Sequence, residues 1–188
     1  MCRSFAEKEI KEIFYTAEQL KEATERIGKQ ITDDHKNSSN KLLMVCILKG
    51  SVCFFADLLR EINMPCEIDF MQASSYGSGT TTSGTIKIGL DLKKQDLTGY
   101  DVVVVEDILD TGNTLYHTMN VIRHKNPESL KLCALFNKPD RRKIDISVDY
   151  EGYVIPDEFI VGYGLDYDEE YRNLPYVGIL RPEVYNAE

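Results

Sequence analysis

Val102-Val103-Val104-Val105 is an unbroken β-branched run that ends directly in two acids, Glu106-Asp107. Four such residues in a row favour a strand, and because side chains alternate along a strand, both of its faces are apolar. A strand apolar on both faces belongs in the middle of a parallel sheet, which requires helices on either side and makes the chain an α/β protein. Two carboxylates are poorly suited to that core, so they are expected to mark the point where the strand leaves it. In open α/β sheets, ligands bind at the carboxyl ends of the strands. Beyond Ile108-Leu109, the segment Asp110-Thr111-Gly112-Asn113-Thr114 is small and polar, and Leu115, Met119 and Ile122 then recur at helical spacing. That pattern predicts a helix over Gly112–His124 that opens from a loop of backbone N–H donors, an arrangement suited to phosphate. The blander reading is an N-cap at Asp110 and two solvated loop acids.

The rest of the chain repeats the alternation of strand and helix. Thr16 and Gln19 have capping-box spacing, and Leu20, Ala23, Ile27 and Ile31 continue as one helical face. A polar break is expected over Asp33–Asn40, and a buried strand over Lys41–Leu48. Lys49-Gly50 is expected to turn that strand, with Ser51 capping a helix that carries Val52, Phe55, Leu58, Leu59 and Ile62, ended by Pro65. Cys66–Ala73 reads as a strand with Ile68 and Phe70 inward. Ser74–Gly84 is rich in Ser, Thr and Gly and reads as a lid. Further strands are expected over Thr85–Leu90, Leu130–Phe136, Phe159–Gly162 and Val177–Leu180. Right-handed crossovers between parallel strands follow.

At 188 residues the chain is long enough for one domain with its own core. The five cysteines lack C-x-x-C spacing, and the three histidines are not paired with them. Reduced, buried thiols are therefore expected rather than disulfides or zinc. The N-terminus shows no apolar run of signal length and no segment is long enough to span a bilayer, so a cytoplasmic protein without membrane contact is expected. A net charge of −9 argues against extended nucleic-acid binding, which relies on Lys and Arg. It does not exclude a small anionic substrate met by local donors. No G-x-x-x-x-G-K-[ST] and no helix-opening G-x-G-x-x-G is present, which sets aside Walker nucleotidases and dinucleotide dehydrogenases.

Taken together, Leu48-Lys49-Gly50, Ser74-Ser75-Tyr76-Gly77, the Val102–Thr114 block, Phe159-Ile160-Val161-Gly162-Tyr163-Gly164-Leu165-Asp166-Tyr167 and Tyr171-Arg172-Asn173-Leu174-Pro175 resemble the type I purine phosphoribosyltransferases, hypoxanthine-guanine branch. The resemblance runs from about Phe14 to Tyr185. It implies the type I phosphoribosyltransferase fold: a single domain over 1–188, with a parallel core over roughly 35–150 and a small hood built from the N-terminal segment and roughly 151–188. It implies salvage of hypoxanthine or guanine with phosphoribosyl diphosphate (PRPP), Mg²⁺ as cofactor, and a homodimer or homotetramer.

Residue by residue, it implies that Asp110 is the general base at purine N7. Thr111, Gly112, Asn113 and Thr114 receive the 5′-phosphate, and Glu106 and Asp107 lie at the ribose hydroxyls. Lys49, Gly50 and Arg172 serve the pyrophosphate, with a cis peptide at Leu48–Lys49. Ser75 and Tyr76 belong to the lid. Lys138 donates to the 6-oxo group, Phe159 stacks on the purine, and the Ile160 backbone reads its amide edge. Asp166 lies by the purine and joins Glu106 and Asp107 in holding the metal. Without the family register, Lys138 reads as a solvated charge in a basic turn, Phe159 as core, and Arg172 as a surface partner of Glu169 or Glu170. Two rivals remain: a xanthine-preferring enzyme of the same fold, and a PRPP-sensing regulator that binds nucleic acid, which would need a basic face.

Overall fold

The computed structural model describes residues 6–75 and 86–185. Its main sheet has six strands in the order β4-β3-β2-β5-β6-β7: β2 Lys41–Ile47, β3 Cys66–Ser75, β4 Ile86–Leu90, β5 Tyr100–Leu109, β6 Ser129–Asn137 and β7 Tyr150–Val154. All pairings are parallel except that of β4 with β3. A second, three-stranded antiparallel sheet, order β1-β9-β8, joins β1 Ile10–Tyr15 to β8 Ile160–Val161 and β9 Val177–Leu180.

The valine run occupies the centre of β5. Val102–Val105 are all 0 % exposed, flanked by β2 on one edge and β6 on the other. Val103 and Val105 pack with helices α1 (Ala17–His35) and α2 (Val52–Glu61). Val102 and Val104 face the opposite layer, where α3 (Asn113–Arg123) contributes Leu115, Met119 and Ile122. Each fully buried valine contributes roughly 1.5–3 kcal/mol relative to exposure.

Four expectations need correction. First, β5 does not end at the acids. It continues to Leu109 because β6 still pairs with it there, Ile108 opposite Phe136 and Leu109 opposite Asn137, whereas β2 pairs only as far as Val105. Second, α1 does not stop before Asp33. Its polar tail has partners: His35 is buried, with Nδ1 3.6 Å from Asp101 and Nε2 3.3 Å from the Tyr150 hydroxyl, and Asp34 accepts from Lys131 and Tyr150, each at 2.8 Å. Third, on β3 Ile68 points outward, 50 % exposed, while Asp69 and Met71 are buried. Asp69 faces inward because it accepts N–H bonds from Phe70 and Lys93. Fourth, Ser51 does not cap α2; its hydroxyl donates to the Ile47 carbonyl at 2.6 Å. The capping box at Thr16–Gln19 is present as expected, and a strand absent from the sequence reading, β1, precedes it. Cys46, Cys53, Cys66 and Cys133 are free thiols.

The two sheets meet through aromatic rings. Tyr15 of β1 stacks on Tyr153 of β7 at 4.3 Å and lies 5.3 Å from Phe136 of β6, which is 0 % exposed. We predict that Phe136→Ala lowers stability by about 3–5 kcal/mol, the scale for emptying a buried phenylalanine site. Urea denaturation reads this directly, and a loss below about 1 kcal/mol would show that the sheets do not depend on this contact.

Candidate active site

The gap left where β2 turns away from β5 is the heart of the site. Glu106 and Asp107 stand there half-buried, with one neighbouring strand instead of two. The turn that makes room is Leu48-Lys49-Gly50, in which the Leu48–Lys49 peptide is cis. Gly50 is required by close approach: a Cβ on it would lie 1.7 Å from Oδ2 of Asp107. The Ser51 hydroxyl oxygen, whose proton goes to the Ile47 carbonyl, lies 3.4 Å from Glu106 Oε2. Burial, and then repulsion from Asp107, pushes the Glu106 carboxyl well above the ordinary range; the nearby Ser51 hydroxyl acts in the opposite direction. Burial raises Asp107 to about 6, and Asp166 adds to this. N–H bonds from Ile108 and from Asp107 itself, and the charge of Arg172, act in the opposite direction.

One wall of a cleft of about 240 Å³ is made by Glu106, Asp110, Thr111, Gly112 and Thr114. Gly112 caps α3 in left-handed backbone, φ +83°, so the chain enters the helix without a side chain over its first turn. The first N–H groups of a helix lack partners within it. Here the Asn113 N–H reaches the Thr111 hydroxyl only at 3.5 Å. From behind, the loop is framed by contacts the sequence reading did not foresee. Arg142 donates to the carbonyls of Asp110 and Ile146, and the Thr111 carbonyl accepts from Lys143 and Ile144. Arg141 and Arg142 follow Pro139-Asp140 in the basic turn that begins at Lys138, and no local pattern distinguishes a loop-bracing arginine from a solvated one.

Asp110 does not stand alone. Its Oδ1 accepts from Arg141 Nε at 3.1 Å, and Arg141 also binds Asp157 at 3.1 Å. Asp157 in turn lies 3.5 Å from Lys138 Nζ. Lys138 is buried rather than solvated, and donates to the Glu158 carbonyl at 2.6 Å. Its neighbour Phe159 is 37 % exposed and stacks on Tyr185 at 4.6 Å, which makes it an accessible ring rather than core. Ile160 is buried in β8.

On the far side, Arg172 donates to the Gly164 carbonyl and to Asp166, each at 2.8 Å, and contacts Glu169 at 3.4 Å. Lys49 binds the same Glu169 at 2.9 Å. The bland reading of Arg172, a partner for Glu169, is thus observed, although its stronger contact is with Asp166. Among the described residues, no group of three or more His, Cys, Asp or Glu side chains is arranged to hold a metal, so Glu106, Asp107 and Asp166 are not a ready-made cage. Ser75 ends β3, and Tyr76 lies outside the described residues, as does most of the expected lid.

The phosphoribosyl transferase domain matches residues 12–168. The hypoxanthine-guanine phosphoribosyltransferase of Streptococcus thermophilus is 47 % identical over 180 residues, covering 96 % of this chain and 98 % of that one. The hypoxanthine phosphoribosyltransferase of Salmonella typhimurium is 46 % identical over 171 residues, 91 % of this chain and 96 % of the relative. A crystal structure of a hypoxanthine phosphoribosyltransferase from Staphylococcus aureus superimposes with a TM-score of 0.92 at 43 % identity, covering 98 % of this chain and 99 % of that chain.

The raised carboxyls have a consequence for stability. A carboxyl whose folded pKa lies above its unfolded value of 3.8 stabilises the fold below that value. It loses this contribution as pH rises through the folded pKa, here between about 4 and 6. We predict that Asp107→Asn, in metal-free buffer, melts higher than the parent at pH 8, by about 1–3 kcal/mol of added stability, with the advantage shrinking toward pH 4. Melting curves at the two pH values check this; an equal or lower melting point at pH 8 would refute the reading of Asp107.

Proposed function

This chain belongs to the phosphoribosyl transferase family, and on that basis we propose that its strand-end cleft performs the reaction for which its relatives are named. It transfers the 5-phosphoribosyl group of PRPP to hypoxanthine or guanine, releases pyrophosphate and forms the inosine or guanosine monophosphate of purine salvage. The observation that carries this reading is the pairing of one acid, Asp110, with two neighbours: the helix-opening loop Thr111–Thr114, and Lys138 reached through Arg141 and Asp157. A base, a phosphate cradle and an ammonium that can meet an oxo group are all needed for this reaction.

In this reading the backbone and hydroxyls of Thr111, Gly112, Asn113 and Thr114 bind the 5′-phosphate at the positive end of α3. Glu106 and Asp107 accept from the ribose hydroxyls. Lys49, the Gly50 backbone and Arg172 meet the pyrophosphate. Phe159 covers one face of the purine, the Ile160 backbone reads its amide edge, and Lys138 donates to the 6-oxo group. As purine N9 forms its bond to C1, the bond from C1 to the pyrophosphate oxygen breaks and the N7 proton passes to Asp110. The resemblance assigns Ser75 and Tyr76 to the pyrophosphate as well, and Tyr76 lies outside the described residues.

Mg²⁺ fits the donor set. Glu106 and Asp107 are crowded anions that a cation would relieve, Asp166 is close enough to raise Asp107, and Mg²⁺ favours few carboxylates completed by substrate oxygens and water. When bound, it supplies positive charge for the departing pyrophosphate. The wider reading includes self-association into a dimer or tetramer and a cytoplasmic location. No helix of the described residues is long and apolar enough to cross a membrane.

Two measurements test the assignment. Asp110→Asn should lower turnover about 10²–10⁴-fold with a much smaller loss of PRPP affinity; parental turnover would remove Asp110 as base. Lys138 has three donors and no acceptor, so the 6-amino group of adenine meets it donor to donor. Comparison of kcat/KM for four bases should show hypoxanthine and guanine as substrates, xanthine poorer, and adenine lower by about 10⁴. Adenine within tenfold of hypoxanthine would mean that Lys138 does not face the base.

A further inference from the structure

The two cations assigned above to the pyrophosphate already share an anion. Oε2 of Glu169 lies 2.9 Å from Lys49 Nζ and 3.4 Å from Arg172 Nη2. These side chains come from separate parts of the chain, the β2–α2 turn and the segment before β9, so one carboxylate bridges two walls of the site. The two positive charges are balanced one for one by Asp166 and Glu169. Arg172 is nonetheless incompletely satisfied: its Nε–H is buried without a hydrogen-bond partner among the described residues. A buried donor of that kind normally marks a place where another acceptor belongs.

We propose that Glu169 is an internal stand-in for pyrophosphate: it holds Lys49 and Arg172 while the site is empty, and it must leave for the pyrophosphate arm of PRPP to bind. The proposal rests on the reading of Lys49 and Arg172 as pyrophosphate ligands. Glu169 is built to leave. Its side chain is 65 % exposed, and it borders an open cleft of about 530 Å³ with Glu170, Tyr171, Arg172 and Asn173. It can therefore swing outward without opening the core. Its backbone is left-handed, φ +65°, between Asp168 at +50° and Tyr171 at +72°. Left-handed residues other than glycine are uncommon, and three within four positions define one specific loop shape. Asp166 differs in kind: it is less exposed, at 30 %, and accepts the Glu169 N–H at 3.0 Å, so it anchors the loop while Glu169 gates it.

Occupation by an internal ligand reduces apparent affinity by the fraction of molecules whose site is free. For an exposed ion pair that factor is roughly two to five. Glu169 thus weakens the site for both the pyrophosphate of PRPP and the pyrophosphate product, and favours product release.

The test is titration of the whole protein with inorganic pyrophosphate in the presence of Mg²⁺. Glu169→Gln keeps the shape and removes the charge; it should bind pyrophosphate about two- to fivefold more tightly and lower KM for PRPP by a similar factor. The gain should shrink at high salt, as expected for an exposed pair. It should also shrink in a Lys49→Met background, because the shorter of the two contacts made by Glu169 is with that lysine. Glu169→Asn, which suits left-handed backbone, should behave as Gln does and covers the case in which Gln disturbs the loop. Unchanged or weaker pyrophosphate binding in both variants, or an equal gain without Lys49, overturns the proposal. Lys49→Met and Arg172→Lys, each alone, separate the two levels: if neither weakens pyrophosphate binding, the pyrophosphate reading itself has failed, whatever Glu169 does.

Discussion

One strand, buried from Asp101 through Val105, organises this protein. The buried segment of β5 has both edges paired and both faces covered, so β2, β6, α1, α2 and α3 must assemble around it. Its direction also determines where chemistry can occur. When β2 turns at Lys49-Gly50, pairing on one edge stops after Val105 while the other edge runs on to Leu109. The next two residues therefore sit at a half-finished sheet, held by covalent continuity to the buried valine run. Glu106 and Asp107 are positioned by the valines before them more than by any contact of their own.

That placement opposes stability and suits binding. Two carboxylates beside each other, with limited water, resist ionisation; Gly50 approaches so closely that any side chain there would displace Asp107. A fold selected for stability alone would replace one acid by an amide. Acids whose charge is not yet satisfied are instead what the proposed binding of a ribose and a cation would use. The same tension recurs at Lys138 and Asp110, which are joined to the Arg141–Asp157 pair instead of being left isolated.

The sequence carried the parts governed by period and by local capping. The valine run, the Thr16–Gln19 box and the Leu115–Met119–Ile122 spacing each determine an element through backbone geometry alone, and all three are found. What escaped reading is set by partners distant in the chain. His35 and Asp34 look like loop residues until Asp101, Lys131 and Tyr150 are brought beside them. Ile68 turned out exposed and Asp69 buried because the N–H groups of Phe70 and Lys93 satisfy the acid. Of the site residues, those in Glu106–Thr114 follow from the strand and the helix start. Lys138, Phe159, Asp166 and Arg172 were assigned only by family register, since nothing in their immediate neighbours distinguishes a ligand from a surface charge or a core ring.

The small sheet has a temporal consequence. β1 and β9 pair Ile10 with Leu180, residues separated by nearly the whole chain, whereas β2, β3, β5, β6 and β7 complete their pairings by Val154. Closing so long a loop is slow, and contacts of large sequence separation form late. During synthesis the parallel sheet, with Asp110 and Lys138 already in place, can assemble while β9 is still being made. Arg172 and Asp166 arrive with that last portion. A nascent chain therefore holds the strand-end cleft of Glu106–Thr114 before the segment carrying Asp166 and Arg172 is fixed in place by the pairing of β9 with β1.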